Sequence, residues 1–319
     1  MPLARLTLTT LIAVALALVM APADATSGPP LTLSTATLAA ATHCDAGATA
    51  HHHTVLLVHG TGATDDEAWS WNYEKALPTA GFGVCTVTLP DRALGDFTVA
   101  AQYAVYAARQ AFRVSGQKIG ILGHSQGGLM AVWIAKFWPD VAQHATDVIG
   151  LAANVRGTQL ANTLCTAGSC SPIAWQMRRG SHVTNAATNA PLPTTTSFTS
   201  IGSQTDEVVY PQPTVSSFPG VDAVMVQSIC PERVVDHGLL LSDAVAYQLV
   251  LDALTHDGPA NTVRIDRSAC LQQTMPGADP TQSAGFANTI VALSVGLLDA
   301  RTYTDHEAPV PAYAAPYAG

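Results

Sequence analysis

Near the middle of the chain lies the stretch KIGILGHSQGGL (residues 118–129), in which a short apolar run leads into a G-x-S-x-G motif and then into a helical pattern. A nucleophile elbow needs these parts in this order, because a buried strand must lead into a very tight turn that exposes the serine. Gly123 and Gly127 flank Ser125, as expected where neighbouring backbone leaves no room for a Cβ. The following helix would direct its N-terminal N–H groups at the serine oxygen. The stretch therefore predicts a catalytic serine at position 125.

A second apolar strand with a glycine-rich end lies upstream of this motif. Residues 54–58 are β-branched or leucine and are followed by HGTG at residues 59–62. A strand that stops in such a loop, upstream of a serine elbow, commonly supplies half of an oxyanion hole. We predict that the N–H of Thr61, with its hydroxyl as a further donor, and the N–H of Gln126 stabilise the oxyanion.

Strands and helices alternate along the rest of the chain. Further apolar runs predict strands at residues 84–89, 147–152, 195–201 and 222–229. Apolar residues at helical spacing predict helices at residues 98–114, 128–138 and 239–254. Such alternation indicates right-handed βαβ units and a parallel sheet. The predicted fold class is α/β, with a mostly parallel central sheet, helices on both faces and a small cap insertion.

The predicted strands also order the residues that could activate the serine. A serine hydroxyl needs a base, and a carboxylate that holds the base in the correct tautomer. In the α/β-hydrolase fold these residues arrive in the order Ser, Asp or Glu, His, each in a loop after a strand. Ser125, Asp206 and His237 follow predicted strands in that order. We therefore predict an α/β-hydrolase fold in which these three residues form a catalytic triad.

Other residues compete for two of these roles. Glu207 adjoins Asp206, but Asp is the shorter and commoner orienting residue. Asp236 adjoins His237, and the side chains of adjacent residues diverge. Two further histidines are candidate bases, namely His256 after a long helix and His306 in a proline-rich tail. The strand-then-loop position favours His237 over both.

Length, composition and charge limit the class of protein. The 319 residues are 48% hydrophobic, which suits one domain with a large core. We predict a single domain at residues 26–319, with a cap-like insertion at 154–193 and an irregular tail at 299–319. The net charge of −9 and the absence of clusters of Lys and Arg argue against nucleic acid as a partner.

The N-terminus has the pattern of a Sec-type signal peptide. Arg5 gives a positive start, residues 11–20 are apolar, and Ala23-Asp24-Ala25 resembles a cleavage site. The apolar run is much shorter than the roughly 20 residues of a membrane-spanning helix, so we expect no stable membrane span. The protein is predicted to be secreted, with cleavage after Ala25.

Export favours disulfides for the six cysteines. Many connectivities are possible, and the preferred pairs are Cys44–Cys85, Cys165–Cys170 and Cys230–Cys270. No cysteine pair has the two-residue spacing typical of zinc sites, and no His-Glu-x-x-His motif occurs. We therefore predict no metal and no other cofactor.

Several segments together resemble the α/β-hydrolase lipases of the Candida antarctica lipase B type. The matching segments are LVHGTG (57–62), GFGVC (81–85), SQGGL (125–129), TDEVV with the following PQ (205–212), and residues 226–238, which end in DHG. The resemblance implies a serine ester hydrolase, and we expect a monomer that acts on lipids or other hydrophobic esters. It implies the same triad and oxyanion donors, and the Cys44–Cys85 and Cys230–Cys270 disulfides.

Three departures from that family concern its substrate pocket. The family has a tryptophan just before the nucleophile, at the floor of the alcohol pocket, where this chain has His124. It has a proline where His59 stands, and an aspartate near the active site where Asn154 stands. The resemblance therefore implies that His59, His124 and Asn154 belong to a pocket with a different substrate preference.

Two questions stay open at this stage. The apolar helical segment at residues 281–298 is either a core helix or, as the resemblance suggests, a helix at the active-site mouth. The predicted activity is lipase-type ester hydrolysis, most simply of triacylglycerols. The same triad would also serve a polyester or cutin-like hydrolase or an acyltransferase, and a non-catalytic envelope binding protein on a hydrolase fold is the alternative of another class.

Overall fold

The computed structural model describes residues 28–45, 47–48, 53–279, 281 and 284–319. The predicted signal peptide, with its cleavage site after Ala25, lies outside these residues.

Within the described residues, seven strands form one sheet in the order β1-β3-β2-β4-β5-β6-β7. The strands are β1 (Thr42–Cys44), β2 (Thr54–Val58), β3 (Gly83–Val87), β4 (Ile119–His124), β5 (Ala145–Leu151), β6 (Ser197–Gly202) and β7 (Val224–Met225). Strand β1 pairs antiparallel with β3, and the other pairs of neighbours are parallel. Every residue of β2, β3 and β4 is buried. Burial on both faces explains why these strands read as continuous apolar runs.

Helices cover both faces of the sheet. They are α1 (Thr35–Ala40), α2 (Asp65–Trp69), α3 (Tyr73–Thr79), α4 (Phe97–Ser115), α5 (Gln126–Phe137), α6 (Pro139–His144), α7 (Gln159–Leu164), α8 (Pro172–Gln176), α9 (His182–Asn189), α10 (Ala244–Thr255) and α11 (Ala284–Leu298). Strand β2 sends Leu56 and Val58 into a core with α4 and α5, and Val55 and Leu57 into a core with α3 and α10. This α/β-hydrolase architecture confirms the predicted fold class.

Most predicted elements differ from the observed ones by one or two residues at an end, but two are much shorter in the structure than expected. The strand expected at residues 222–229 is reduced to β7, because the chain turns into a 3-10 helix at Val226–Ser228. In that turn Gln227 accepts a hydrogen bond from the backbone N–H of Gln204 (3.0 Å). The helix expected at residues 239–254 is interrupted, because Asp243 caps α10 by accepting from the N–H groups of Val245 and Ala246. The hydrophobic periodicity of the sequence does not predict the contact of Gln227 or that of Asp243.

All six cysteines form disulfides, in the three preferred pairs. Cys44–Cys85 joins β1 to β3. Cys230–Cys270 joins the loop after β7 to the segment after α10. Cys165–Cys170 closes a short loop between α7 and α8. The Cys44–Cys85 and Cys230–Cys270 bonds attach peripheral segments to the sheet, whereas the Cys165–Cys170 bond is local.

The insertion at residues 154–193 and the tail at 299–319 contact each other. Cys170 and Thr304 exchange backbone hydrogen bonds of 3.1 and 2.9 Å. The Trp175 indole N–H donates to the Thr304 carbonyl (2.9 Å). The Glu307 carboxylate accepts from the first turn of α9, at the His182 N–H (2.8 Å).

None of the helices in the described part of the chain combines the length and apolar character needed to cross a bilayer.

We predict that the Cys230→Ser/Cys270→Ser variant loses more stability than the Cys165→Ser/Cys170→Ser variant. The first bond closes a loop of 40 residues and the second a loop of 5. Because the entropy that a disulfide removes from the unfolded chain grows with loop length, the expected losses are about 4 and about 2 kcal/mol. Urea unfolding of both variants and the wild type measures them. Equal losses, or the reverse order, would contradict this prediction.

Candidate active site

The elbow is built by the close approach of three pieces of backbone. Strand β4 ends at His124, Ser125 has a φ of 57°, and α5 begins at Gln126. A Cβ on Gly123 would lie 2.1 Å from the Gly127 carbonyl oxygen, and a Cβ on Gly127 would lie 2.1 Å from the Val58 carbonyl oxygen. The two glycines of the motif are therefore required by space. The positive φ of Ser125 is a strained conformation of the kind that concentrates at functional sites.

Asp206 and His237 meet at the carboxyl edge of the sheet. The His237 Nδ1 lies 3.0 Å from Oδ2 and 3.1 Å from Oδ1 of Asp206. Oδ1 also accepts hydrogen bonds from the N–H groups of Val208 (2.9 Å) and Val209 (2.7 Å). Burial acts to raise the pKa of Asp206, but His237 and these two N–H groups outweigh it and lower the pKa. An ionised Asp206 that accepts from Nδ1–H leaves Nε2 of a neutral His237 as a proton acceptor.

Neighbouring side chains tie the Asp206 and His237 loops together. The hydroxyls of Ser203 and Thr205 both donate to the Val235 carbonyl, at 2.6 and 2.8 Å. The backbone N–H of His237 donates to the carboxylate of Glu207 (3.1 Å). In the sequence Glu207 is a rival of Asp206, and its contact with the His237 backbone was not predicted. The polar run that begins at Ser203 was the available signal.

The rival residues have other partners. His256 bonds to the Asp252 carbonyl (3.1 Å) near the amino edge of the sheet, and His306 is an exposed neighbour of Asp305. Asp236 lies at the cavity, but its carboxylate accepts from the Leu239 N–H (2.7 Å). None of these three therefore takes the place of His237 or Asp206 beside Ser125.

The two predicted oxyanion donors lie beside each other. The Thr61 hydroxyl donates to the Gln126 side-chain oxygen at 2.5 Å, so this hydroxyl is already engaged. No acceptor among the described residues is bonded to the backbone N–H of Thr61 or of Gln126. Gln126 is the first residue of α5, where the helix dipole favours negative charge. Both N–H groups are therefore available to a developing oxyanion.

His124 and Asn154 line the cavity, as expected, but His59 does not. His124 donates from Nε2 to the His237 carbonyl (3.0 Å), and the ring centroids of the two histidines are 4.6 Å apart. Burial, with a contribution from His237, lowers the pKa of His124 to about 3, so this ring is neutral. Asn154 is buried against Met177, with its amide Nδ2 3.1 Å from the sulfur.

The position of His59 corrects the expectation from the resemblance. Its ring points into the interior, where Nδ1 donates to the Gly60 carbonyl (2.9 Å) and Nε2 accepts from the Leu89 N–H (2.9 Å). Both ring nitrogens are thereby satisfied away from the cavity, and burial lowers the pKa of this histidine. His59 joins the end of β2 to the loop after β3.

Ser125 and His237 open onto a cavity of about 320 Å³. Most of its lining is apolar, and includes Leu160, Ile173, Met177, Val208, Leu241, Ile290, Leu293 and Leu297. Three of these residues belong to α11, which therefore lies at the mouth of the cavity. On its outer side Val291, Val295 and Leu298 are 63% or 64% exposed. Of the two expectations for this segment, the structure favours the helix at the mouth over the core helix.

Within the described residues, no group of three or more His, Cys, Asp or Glu side chains is arranged to hold a metal ion.

Comparison with known proteins identifies the family. The chain is 30% identical over 274 residues to lipase B of Pseudozyma antarctica, an alignment that covers 83% of this chain and 80% of that protein. The chain belongs to the lipase B family. It is accordingly a lipase/esterase-type α/β-hydrolase.

Two solved structures agree with this fold. Lipase B of Aspergillus fumigatus superposes with a TM-score of 0.81 at 24% identity, over 92% of this chain and 75% of that one. The Bacillus licheniformis lipase BlEst2 gives a TM-score of 0.50 at 14% identity, over 74% of this chain and 54% of that one. In addition, residues 88–219 match the model of the prolyl oligopeptidase family. That segment contains Ser125 and Asp206 but ends before His237.

We predict that replacing His124 by Gln or by Phe makes the protein less sensitive to acid. Because the folded state keeps His124 neutral down to about pH 3, the unfolded wild type binds an extra proton below its ordinary pKa of about 6.5. Wild-type stability therefore falls as the pH drops through this window, and this contribution is lost in both variants.

Urea unfolding at pH 7.5 and 4.5 measures the effect. Each variant should be destabilised at pH 7.5, with its deficit relative to the wild type about 3 kcal/mol smaller at pH 4.5. The two variants differ in hydrogen bonding but share the loss of titration, so the deficit should shrink equally in both. A deficit that is independent of pH would refute the neutral, buried His124.

Proposed function

We propose that this protein is a secreted serine ester hydrolase, most simply a lipase that hydrolyses triacylglycerols and other hydrophobic carboxylic esters. One observation carries the proposal: Ser125, on a strained turn, shares an apolar cavity with His237, whose Nδ1 is bonded to the buried Asp206 at 3.0 Å. This arrangement can generate a serine nucleophile beside a site for an acyl chain.

The proposed reaction uses Ser125 as the nucleophile and His237 as the base. The Ser125 Oγ attacks the ester carbonyl carbon while its proton passes to Nε2 of His237. The N–H groups of Thr61 and Gln126 stabilise the resulting oxyanion. The bond from carbon to the alkoxy oxygen then breaks, and His237 protonates the leaving alcohol. Water attacks the acyl-enzyme, His237 takes its proton and returns it to Ser125, and the carboxylic acid is released. The scheme uses no metal or organic cofactor.

The surroundings of the cavity support a hydrophobic ester as substrate. Apolar side chains from α7, α8 and α11 enclose the space beside Ser125, so an acyl chain is desolvated there. The exposed apolar side of α11 would bring the cavity mouth to a lipid–water interface. Secretion is supported by the N-terminal pattern and by three disulfides, which persist in oxidising compartments.

We expect Ser125→Ala and Asp206→Asn to lower kcat/KM for a p-nitrophenyl ester by about 10⁴-fold or more, because each removes one part of the proton path. Ser268→Ala is the matched control, since Ser268 is exposed and does not line the cavity. Hydrolysis at the wild-type rate by Ser125→Ala would refute the proposal. A wild type that cleaves no ester and does not react with a serine-directed inhibitor would favour the non-catalytic alternative.

We expect Val291→Ser/Val295→Ser to lower the rate on emulsified triacylglycerol by about tenfold and to leave the rate on a soluble short-chain ester unchanged. These two side chains are exposed on α11 and do not line the cavity, so they contribute to adsorption through buried apolar area. A parallel loss on both substrates would contradict an interfacial role.

A panel that adds polyester film and an acceptor alcohol distinguishes polymer hydrolysis and acyl transfer from lipolysis.

A further inference from the structure

A strained turn of the backbone follows β3 at the carboxyl edge of the sheet. Three successive residues that are not glycine, Asp91, Arg92 and Ala93, have φ values of 49°, 57° and 56°. The Cβ of an L-residue makes this left-handed region unfavourable, and successive residues rarely adopt it. Such a turn persists when surrounding contacts hold it, and these contacts point to its role.

The contacts of the turn are with the oxyanion loop, residues 59–62. The Gly62 N–H donates to the Arg92 carbonyl (2.7 Å), and the Arg92 Nε donates to the Gly62 carbonyl (2.7 Å). One residue of the turn therefore satisfies both backbone polar groups of the residue after Thr61. The left-handed conformation of Arg92 allows its carbonyl and its side chain to reach the same residue.

Gly60, the residue before Thr61, is also held in place, through a histidine that is bonded to the segment after β3. His59 donates to the Gly60 carbonyl and accepts from the Leu89 N–H, both at 2.9 Å. Residues 60 and 62 are therefore fixed on either side of Thr61, whose own N–H has no acceptor among the described residues. The peptide plane that carries this N–H has little freedom to rotate away from the cavity.

The far end of the Arg92 side chain is anchored as well. Its Nη2 pairs with the carboxylate of Glu67 on α2. The same carboxylate accepts from the Thr64 N–H (3.2 Å), at the cap of α2, and from the Thr289 hydroxyl (3.0 Å) on α11. Glu67 on α2 therefore holds the guanidinium in place, and Glu67 is itself held by Thr289 on α11, the helix at the cavity mouth.

We propose that Arg92 is a positioning residue for the oxyanion hole. By fixing Gly62, Arg92 directs the Thr61 N–H at the reacting carbonyl. Arg92 does not line the cavity, so the role that we assign to it is exerted through Gly62. The inference rests on the proposed function, since Thr61 has an oxyanion to stabilise only if the protein hydrolyses esters. It assigns a role to a residue that sequence analysis passed over.

The expected effect of Arg92→Ala is a loss of kcat of about 10- to 100-fold with KM within about twofold of the wild type. A misdirected donor weakens binding of the transition state while the ground-state ester is still bound in the apolar cavity. Arg92→Lys keeps one N–H donor near Gly62 and should recover part of the loss. Glu67→Gln keeps an acceptor for Arg92 and should give a smaller loss in the same direction.

A transition-state analogue separates positioning from a general loss of structure. With an alkyl boronic acid, the Ser125 oxygen bonds to boron and its proton passes to His237, which leaves a tetrahedral boronate anion in the oxyanion hole. Its affinity should fall in Arg92→Ala by the same factor as kcat/KM. Affinity for an unreactive alkyl ether of the same chain length should stay unchanged.

The matched control removes another arginine that forms an ion pair with an aspartate or glutamate. Arg109 of α4 pairs with Asp140 of α6 through contacts of 2.7 and 3.2 Å, away from the cavity. Arg109→Ala should lower the thermal midpoint but leave kcat and boronate affinity at wild-type values.

Three results would overturn the inference. They are wild-type kcat in folded Arg92→Ala, a loss confined to KM, and a loss of kcat without a matching loss of boronate affinity. If Arg92→Ala does not fold, Arg92→Lys and Glu67→Gln provide the same comparison. Failure of the proposed function is distinguishable, because it would appear as absent ester hydrolysis in the wild type or as retained hydrolysis in Ser125→Ala.

Discussion

The hydrogen bond between Asp206 and the His237 ring is the contact on which the remainder of the site depends. It fixes which nitrogen of the imidazole carries a proton, and so whether the other nitrogen can accept one from Ser125. The carboxylate is buried, and its desolvation is offset by the His237 ring and by the N–H groups of Val208 and Val209. The fold makes this contact possible because parallel strands deliver their following loops to one edge of the sheet.

Loop-to-loop hydrogen bonds, rather than core packing, then define the site. Ser203, Thr205 and Glu207 connect the Asp206 loop to the His237 loop. On the other side of Ser125, His59 and Arg92 connect the oxyanion loop to the segment after β3. Ser125, on its glycine-flanked turn, therefore lies between two pairs of loops, each fixed by side chains bonded to backbone. Such an arrangement holds reacting groups without relying on flexible surface contacts.

Sequence patterns predicted the elements that depend on local rules. The strand at Thr54–Val58 has the predicted bounds, and the glycines around Ser125 meet the backbone crowding expected of an elbow. The order of strand ends also selected Asp206 and His237, because topology sends successive loops to one edge. The strand bounds and the crowding at the elbow agree with the structure, and chain order brings the side chains of Asp206 and His237 into contact.

The remaining features depend on contacts between distant loops, which periodicity does not encode. The shortened β7 reflects the side-chain bonds of Gln227, and the inward ring of His59 reflects an acceptor and a donor that come from two different loops. Arg92 was missed because none of the three left-handed residues, 91–93, is a glycine that would mark the turn. Glu207 was read as a rival carboxylate, since adjacent acidic residues cannot be assigned separate partners without coordinates.

The central claim is that one serine, activated by His237, is the nucleophile. Mass spectrometry of the tryptic peptides after treatment with a fluorophosphonate tests it most directly, with wild type and His237→Ala treated in parallel. The account predicts a single phosphonylated residue, Ser125, in the wild type and little or none in His237→Ala. Stoichiometric modification of a different residue, or equally fast labelling of Ser125 without His237, would contradict it.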